Sequence, residues 1–228
     1  MNDQPPTNSN TYRKPIRSYV LRQTRMTQLQ QRAYEELQFL IVPFRNAPIH
    51  VSKEYHNVVL EIGFGMGHAT AEIAKVNPQT MYYGIEVHTP GVGALLARIK
   101  ELELQNIRII QHDALEVLDA MFPEESLHGV HLFFPDPWPK KKHHKRRIVN
   151  LGLLEKIIPR LKTGGYFYAV TDWQEYAEEM LEKVGQIQGF RNSYQGFAEP
   201  QPWRPLTAFE HKGFAKNHKM YEIFVEKN

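Results

Sequence analysis

The sequence predicts an α/β fold in which a mostly parallel sheet is covered by helices on both faces. Three observations carry this. Apolar segments of strand length alternate with segments of helical spacing from Val58 to Asp172. Glycines or acids stand where the strand segments end, as in "LEIGFGMGH", "GIEVH" and "HDA". The alternation contains no internal repeat and no apolar run long enough to cross a bilayer.

Residues 1–26 are rich in Pro, Asn, Gln and Arg and poor in apolar side chains. They read as a flexible basic arm ahead of a single domain over 27–228. Leu29, Ala33, Leu37 and Leu40 recur at three- and four-residue spacing, predicting an amphipathic helix over 27–42 that Pro43 ends. The alternation follows: strand "VVLEIGF", helix "GHATAEIAKVN"; strand "MYYGIEVH", helix "GVGALLARIKELEL"; strand "IRIIQHDA", short helix "LEVLDAMF". Next come strand "GVHLFF", helix "KRRIVNLGLLEKIIPRL", strand "GYFYAVTD" and helix "WQEYAEEMLEKVGQI". The last two strands, "FRNSYQ" and "KMYEIFVEK", flank a proline-rich loop and a short helix, and suggest an antiparallel hairpin at one edge.

Composition narrows the class. Of 228 residues, 42% are hydrophobic and 23% charged, as in soluble globular proteins. Cysteine is absent, which excludes disulfides, thiolate metal sites and a cysteine nucleophile. The polar N-terminus lacks the apolar core of a secretory signal, so the cytoplasm is the expected compartment. Net charge is only +3, but cations are clustered. Between Gln4 and Tyr34 there is no acid, yet Arg13, Lys14, Arg17, Arg22, Arg25 and Arg32 are present. A second cluster is Lys140, Lys141, Lys142, Lys145, Arg146 and Arg147. Two positive segments on a nearly neutral chain point to a polyanionic partner.

Gly63, Gly65 and Gly67 lie between the first strand and its helix, where glycine lets backbone turn sharply and approach a ligand. Glu86 ends the second strand, where an acid can accept from a ribose hydroxyl pair. Asp113 ends the third. A nicotinamide cofactor fits less well than S-adenosylmethionine. The spacing is not the G-x-G-x-x-G that seats a pyrophosphate, and Glu61 would place a carboxylate near it. A carboxylate there suits an ammonium or sulfonium group instead. Each acid also has an ordinary use: Glu61 pairing with a core lysine, Glu86 capping a helix, Asp113 in a turn.

The fourth strand runs into "PDPWPKKKHHKRR". Prolines on both sides of Asp136 stiffen its loop and aim its carboxylate. Trp138 offers a face for stacking on a base. His143 and His144 sit within a cationic run that repels metal ions, so no metal is expected.

Together, "LEIGFGMG", "GIEVH", "HDA", "FFPDPWPKKKHHKRR", "TDW" and "TAFEHKG" resemble the bacterial tRNA (guanine-N7-)-methyltransferases, from about Tyr19 to the C-terminus. The resemblance implies a class I methyltransferase (Rossmann-like) fold, a seven-stranded mostly parallel sheet with one antiparallel edge strand. It implies S-adenosyl-L-methionine as cofactor and tRNA as partner, with methylation at N7 of a variable-loop guanosine. Cofactor contacts would be Glu61, Glu86, Asp113 and Asp136 beside the glycine turn, with Asp136 also catalytic. Substrate contacts would be Lys140, Asp172, Thr207, Phe209 and Glu210, and RNA contacts Lys142, His143, His144, Lys145, Arg146 and Arg147. A monomer is expected, with a homodimer as the alternative.

Two rival readings remain at this level. Amino-group methyltransferases carry [DN]-P-P-[YFW] at the same strand end, one proline more than "DPW". A base-resolved assay of methylated RNA separates them. A non-catalytic RNA-binding protein on the same fold would have lost affinity for the methyl donor, which a binding measurement decides.

Overall fold

The structure, a computed structural model, describes residues 17–19, 25–50, 54–205 and 219–228. Thr207, Phe209, Glu210, the short helix near the C-terminus and most of the basic arm lie outside the described residues.

Among the described residues, six α-helices and seven strands follow the expected rhythm. Helix α1 (Gln28–Glu36) opens with a capping box, the Thr27 hydroxyl accepting from Gln30 N while the Gln30 side chain accepts from Thr27 N. Next come β1 (Asn57–Ile62), α2 (His68–Val76), β2 (Thr80–Ile85), α3 (Thr89–Glu101), β3 (Ile107–Ile110) and α4 (Ala114–Met121). The second half holds β4 (Leu127–Phe133), α5 (Leu151–Arg160), β5 (Leu161–Thr171), α6 (Gln174–Gln186), β6 (Phe190–Arg191) and β7 (Tyr221–Lys227). The sheet order is β3-β2-β1-β4-β5-β7-β6. Parallel pairing on both sides of β1 makes the β1/β4 boundary the topological switch point, where ligands of such sheets bind.

Strand alternation divides the core between the two faces. Val58, Leu60 and Ile62 pack with α4, α5 and α6. Val59 packs with α2 and α3, and Glu61 follows it on that same face by the two-residue period. A carboxylate therefore sits where an apolar residue belongs.

Three expectations need correction. The helix expected over 27–42 stops at Glu36; after a 3-10 turn (Gln38–Leu40), Ile41 bridges in parallel to Ile109, and Val42 N donates to Ile109 O at 2.7 Å. The exposed edge of β3 recruits the segment, satisfying groups that would otherwise stay unpaired. The helix expected from Lys145 begins at Leu151, where Asn150 Oδ1 caps Leu153 N at 3.0 Å. Before it, Lys141–Arg146 forms a 3-10 helix, and Val149 N donates to the Tyr176 hydroxyl instead of to a helical carbonyl. The expected antiparallel hairpin of the last two strands is present at one edge, but its outermost member is two-residue β6, and the reversed strand β7 lies one place in, pairing antiparallel with both β5 and β6.

Arg204, Glu222 and Tyr168 form a buried polar cluster that ties the loop after β6 to β5 and β7. Arg204 Nη2 lies 3.0 Å from Glu222 Oε1, and its Nε donates to the Tyr168 hydroxyl at 2.8 Å. Among the described residues, no helix is long and apolar enough to cross a membrane.

Candidate active site

The carboxyl ends of β1 to β4 surround a cleft with about 870 Å³ of empty space, including its open mouth. Gly63, Glu86, Asp113 and Asp136 line it. No lysine or arginine lines it among the described residues. Such a cleft favours a cationic ligand and disfavours a diphosphate.

The glycine turn has left-handed backbone at Gly63, Gly65 and Gly67 (φ of 70°, 57° and 71°). Above Gly63 and Gly65 is open space that a ligand can enter. Glu86 holds this turn: its Oε2 accepts from Gly65 N at 3.0 Å, while Oε1 accepts from Val87 N and His88 N at the start of α3. It thus ties the glycine turn to the β2–α3 connection while also facing the cleft, with room on Oε2 for a hydroxyl donor. Gly91 on α3 packs so closely that a Cβ there would lie 2.2 Å from Gly65 O. Gly91→Ala is expected to lose about 1–3 kcal/mol of stability by urea unfolding, as overpacked sites do. It should also weaken cofactor binding by displacing the turn.

Asp113 caps α4, its Oδ1 accepting from Leu115 N at 2.9 Å and Glu116 N at 3.4 Å. Two residues that the sequence reading missed complete this wall. Ser18 and Tyr19 of the basic arm line the cleft. The Tyr19 hydroxyl lies near the Asp113 carboxylate, and burial, then the Asp113 charge, push its pKa up. The Ser18 carbonyl accepts from Trp138 Nε1 at 3.2 Å. Nothing in hydrophobic periodicity distinguishes Tyr19 from its polar neighbours. His112 also lines the cleft, stacked on Phe44 with centroids 3.8 Å apart.

Glu61 does not line the cleft. It is 2% exposed, and among the described residues neither its Oε2 nor Thr70 Oγ1 has a hydrogen-bond partner. Burial pushes its pKa up to about 7; the Thr70 hydroxyl opposes this from nearby, without reaching hydrogen-bond geometry, and the Glu86 charge adds to it. A buried carboxylate oxygen lacking a donor is costly. Together with the open space over the glycines, it fits the ammonium end of an amino-acid-bearing ligand.

Beyond β4, Phe134 and Trp138 have left-handed backbone (φ of 51° and 44°). For non-glycine residues this costs of order 1–3 kcal/mol each and persists only when the surroundings impose it. Phe134 N extends the β4–β5 ladder, donating to Val170 O at 2.8 Å. Asp136 is exposed at the cleft rim. Phe133 pairs with Val170, so Asp172 and Pro135 each stand two residues beyond that pair, at the same end of the sheet. The cationic segment starts at the same rim. Lys140, Lys141, Lys142 and Lys145 are exposed, while His143, His144 and Arg146 are half-buried.

One expectation fails here, and a second residue already has neighbours. Arg147, expected to contact RNA, is 2% exposed and points inward to Glu179 and Glu175 of α6. Two carboxylates and a tyrosine face hold the guanidinium inside more strongly than solvent would. The Trp138 ring, expected to stack on a base, carries the Arg146 guanidinium 5.2 Å from its centroid and the His143 ring edge-on. Among the described residues, no group of acids and histidines is arranged to hold a metal.

The chain matches a family described as "Putative methyltransferase" over residues 55–223. It is 48% identical to a tRNA (guanine-N(7)-)-methyltransferase of Methylobacillus flagellatus, over 94% of this chain and 92% of that protein. It is likewise 48% identical to the protein of that description from Paracidovorax citrulli, over 99% of this chain and 92% of that protein. Among solved structures, an rRNA methylase from Streptococcus thermophilus superposes with a TM-score of 0.51 at 16% identity, covering 90% of this chain and 99% of that one. SMU.1697c of Streptococcus mutans in complex with SAH gives a TM-score of 0.53 at 11% identity, covering 90% of this chain and all of that one. At these identities the two structures speak for the fold.

Proposed function

The chain belongs to the tRNA (guanine-N(7)-)-methyltransferase family, and we propose that it methylates N7 of a variable-loop guanosine in tRNA, with Asp136 at the reacting base. One observation carries this reading. The stiffened Asp136 loop forms part of the acid-lined cleft and leads directly into a run of exposed lysines.

S-adenosylmethionine supplies an electrophilic methyl group on a sulfonium. Glu86 would accept from the ribose hydroxyls, Asp113 from the adenine side, and Glu61 would meet the ammonium beneath the glycine turn. Guanine N7 presents a neutral lone pair, so no proton need be removed before attack. The protein's work is orientation and charge compensation. Holding reactants in line can supply about 7–11 kcal/mol of a barrier.

Asp136 and Asp172 accept from guanine N1–H and its exocyclic amine, and Asp136 offsets the positive charge that grows on the purine. Adenine lacks those donors, and a site left with unpaired acceptors rejects it strongly. Lys140 holds O6 or a phosphate, with Thr207, Phe209 and Glu210 as further substrate contacts. Lys141, Lys142 and Lys145 neutralise phosphates, which makes binding salt-dependent. The reaction belongs in the cytoplasm, where tRNA is available.

The test is incubation with unmodified tRNA and labelled cofactor, then strand cleavage at N7-methylated guanosine. Label found only in N6-methyladenosine, or none, defeats the reading. Tyr19→Ala is expected to weaken cofactor binding about 5–30-fold by calorimetry, the equivalent of about 1–2 kcal/mol of lost aromatic cover. Tyr19→Phe should lose less.

A further inference from the structure

Arg147 belongs by sequence to the cationic run, yet its guanidinium spans three parts of the molecule. Its Nε donates to the Pro137 carbonyl at 2.8 Å. Its Nη1 pairs with Glu179 and, at 3.4 Å, with Glu175, both on α6. Its Nη2 reaches His144 Nε2 at 3.1 Å, and the cation lies 4.8 Å from the Tyr176 ring centroid.

We propose that Arg147 is a positioning residue for methyl transfer, fixing the loop that carries Asp136 by holding the Pro137 carbonyl. This rests on the role given to Asp136 above. Prolines at 135, 137 and 139 remove three backbone donors, so the loop has few ways to close its own hydrogen bonds. Its shape must be imposed from outside. Phe134 is tied to β5 at the near end, and Arg147 supplies the tie in the middle. Asp136 itself is exposed, so the backbone on either side sets the direction of its carboxylate. The arrangement needs a guanidinium. A lysine ammonium on its single stem cannot bond Pro137 O and α6 in the same fixed geometry.

The same network couples the loop to the RNA-facing segment. His144 belongs to the 3-10 helix and Arg147 follows it directly, with Arg147 N donating to His144 O at 2.9 Å. A shift of that helix under bound phosphates therefore reaches Pro137 through one side chain.

The experiment compares wild type with Arg147→Lys, Arg147→Met and Arg147→Met/Glu179→Gln. The double variant avoids stranding Glu179 if the single one folds poorly. Single-turnover methyl transfer at saturating tRNA and cofactor, well below each melting midpoint, is expected to fall about 10²-fold, as ångström-scale misplacement does. The slope of log tRNA affinity against log salt should not change. A slope reduced by about 0.7–0.9 marks a phosphate contact and overturns the proposal. An unchanged rate in folded variants also overturns it, leaving Arg147 purely structural. In the free proteins, the Trp138 indole N–H resonance should shift or broaden in the methionine variants, and an unmoved resonance overturns the claim. A wild type that transfers no methyl to guanine N7 defeats the functional reading alone, because the indole measurement still decides whether Arg147 holds the loop.

Discussion

Asp136→Ala is expected to lower the single-turnover rate of methyl transfer to tRNA by at least about 10²–10³-fold, with no measurable change in melting midpoint. The magnitude follows from removing one pre-aimed group that faces charge appearing in the transition state. The unchanged stability follows from exposure: the side chain fills no core space, so its loss opens no cavity. Asp136→Asn separates two contributions. An amide oxygen can still accept from the base, but it carries no charge to offset the cation forming on the purine, so this variant should fall between wild type and alanine. Cofactor affinity, measured in the same preparations, should change far less than the rate. Near-normal turnover by Asp136→Ala would remove Asp136 from the chemistry and leave the loop a scaffold.

Glu61→Gln is expected to stabilise the free protein at pH 8 while weakening cofactor binding. Glu61 ionises near pH 7 when folded and near 4.5 in an ordinary setting. Between those values the folded chain keeps a proton that the unfolded chain has released. Stability from this group therefore falls as pH rises through that window. At about 1.36 kcal/mol per pH unit, the difference approaches about 3 kcal/mol above pH 7. Glutamine never ionises, so the variant's advantage should be near that size at pH 8 and vanish near pH 4. Urea unfolding of both proteins across pH reads the difference directly, since all other titrating groups are shared. Cofactor affinity should meanwhile drop, because the carboxylate that burdens the empty site is the one that meets the ammonium. A variant no more stable than wild type at pH 8 would show that Glu61 has a donor in solution. The residue is a case of stability given up for binding.

Much of this site was legible in the sequence because its signals are local. Apolar strand segments, the glycines at 63, 65 and 67, and the acids at 86, 113 and 136 each sit next to the chain feature that explains them. What failed to show was everything decided across the chain. Arg146 and Arg147 are adjacent and alike in sequence, yet one covers Trp138 and the other is buried against α6, which only tertiary packing determines. Tyr19 reaches Asp113 across more than ninety positions, and no periodicity records that. The antiparallel pairing of β7 with β6 was legible, but alternation carries no information about its pairing with β5, so its insertion between the two was not readable. The early end of α1 has the same origin: Ile41 follows the vacant side of β3 rather than helical spacing.

The two margins of the sheet are treated unequally, and this bears on how copies of the chain meet. Along one margin, the Ile41 bridge and the Val42 amide occupy part of β3. At the other, the outermost strand is only two residues long. Among the described residues, neither offers the long ladder of vacant amides on which a foreign strand could grow. A second copy approaching along either margin would then meet short or partly occupied strand edges.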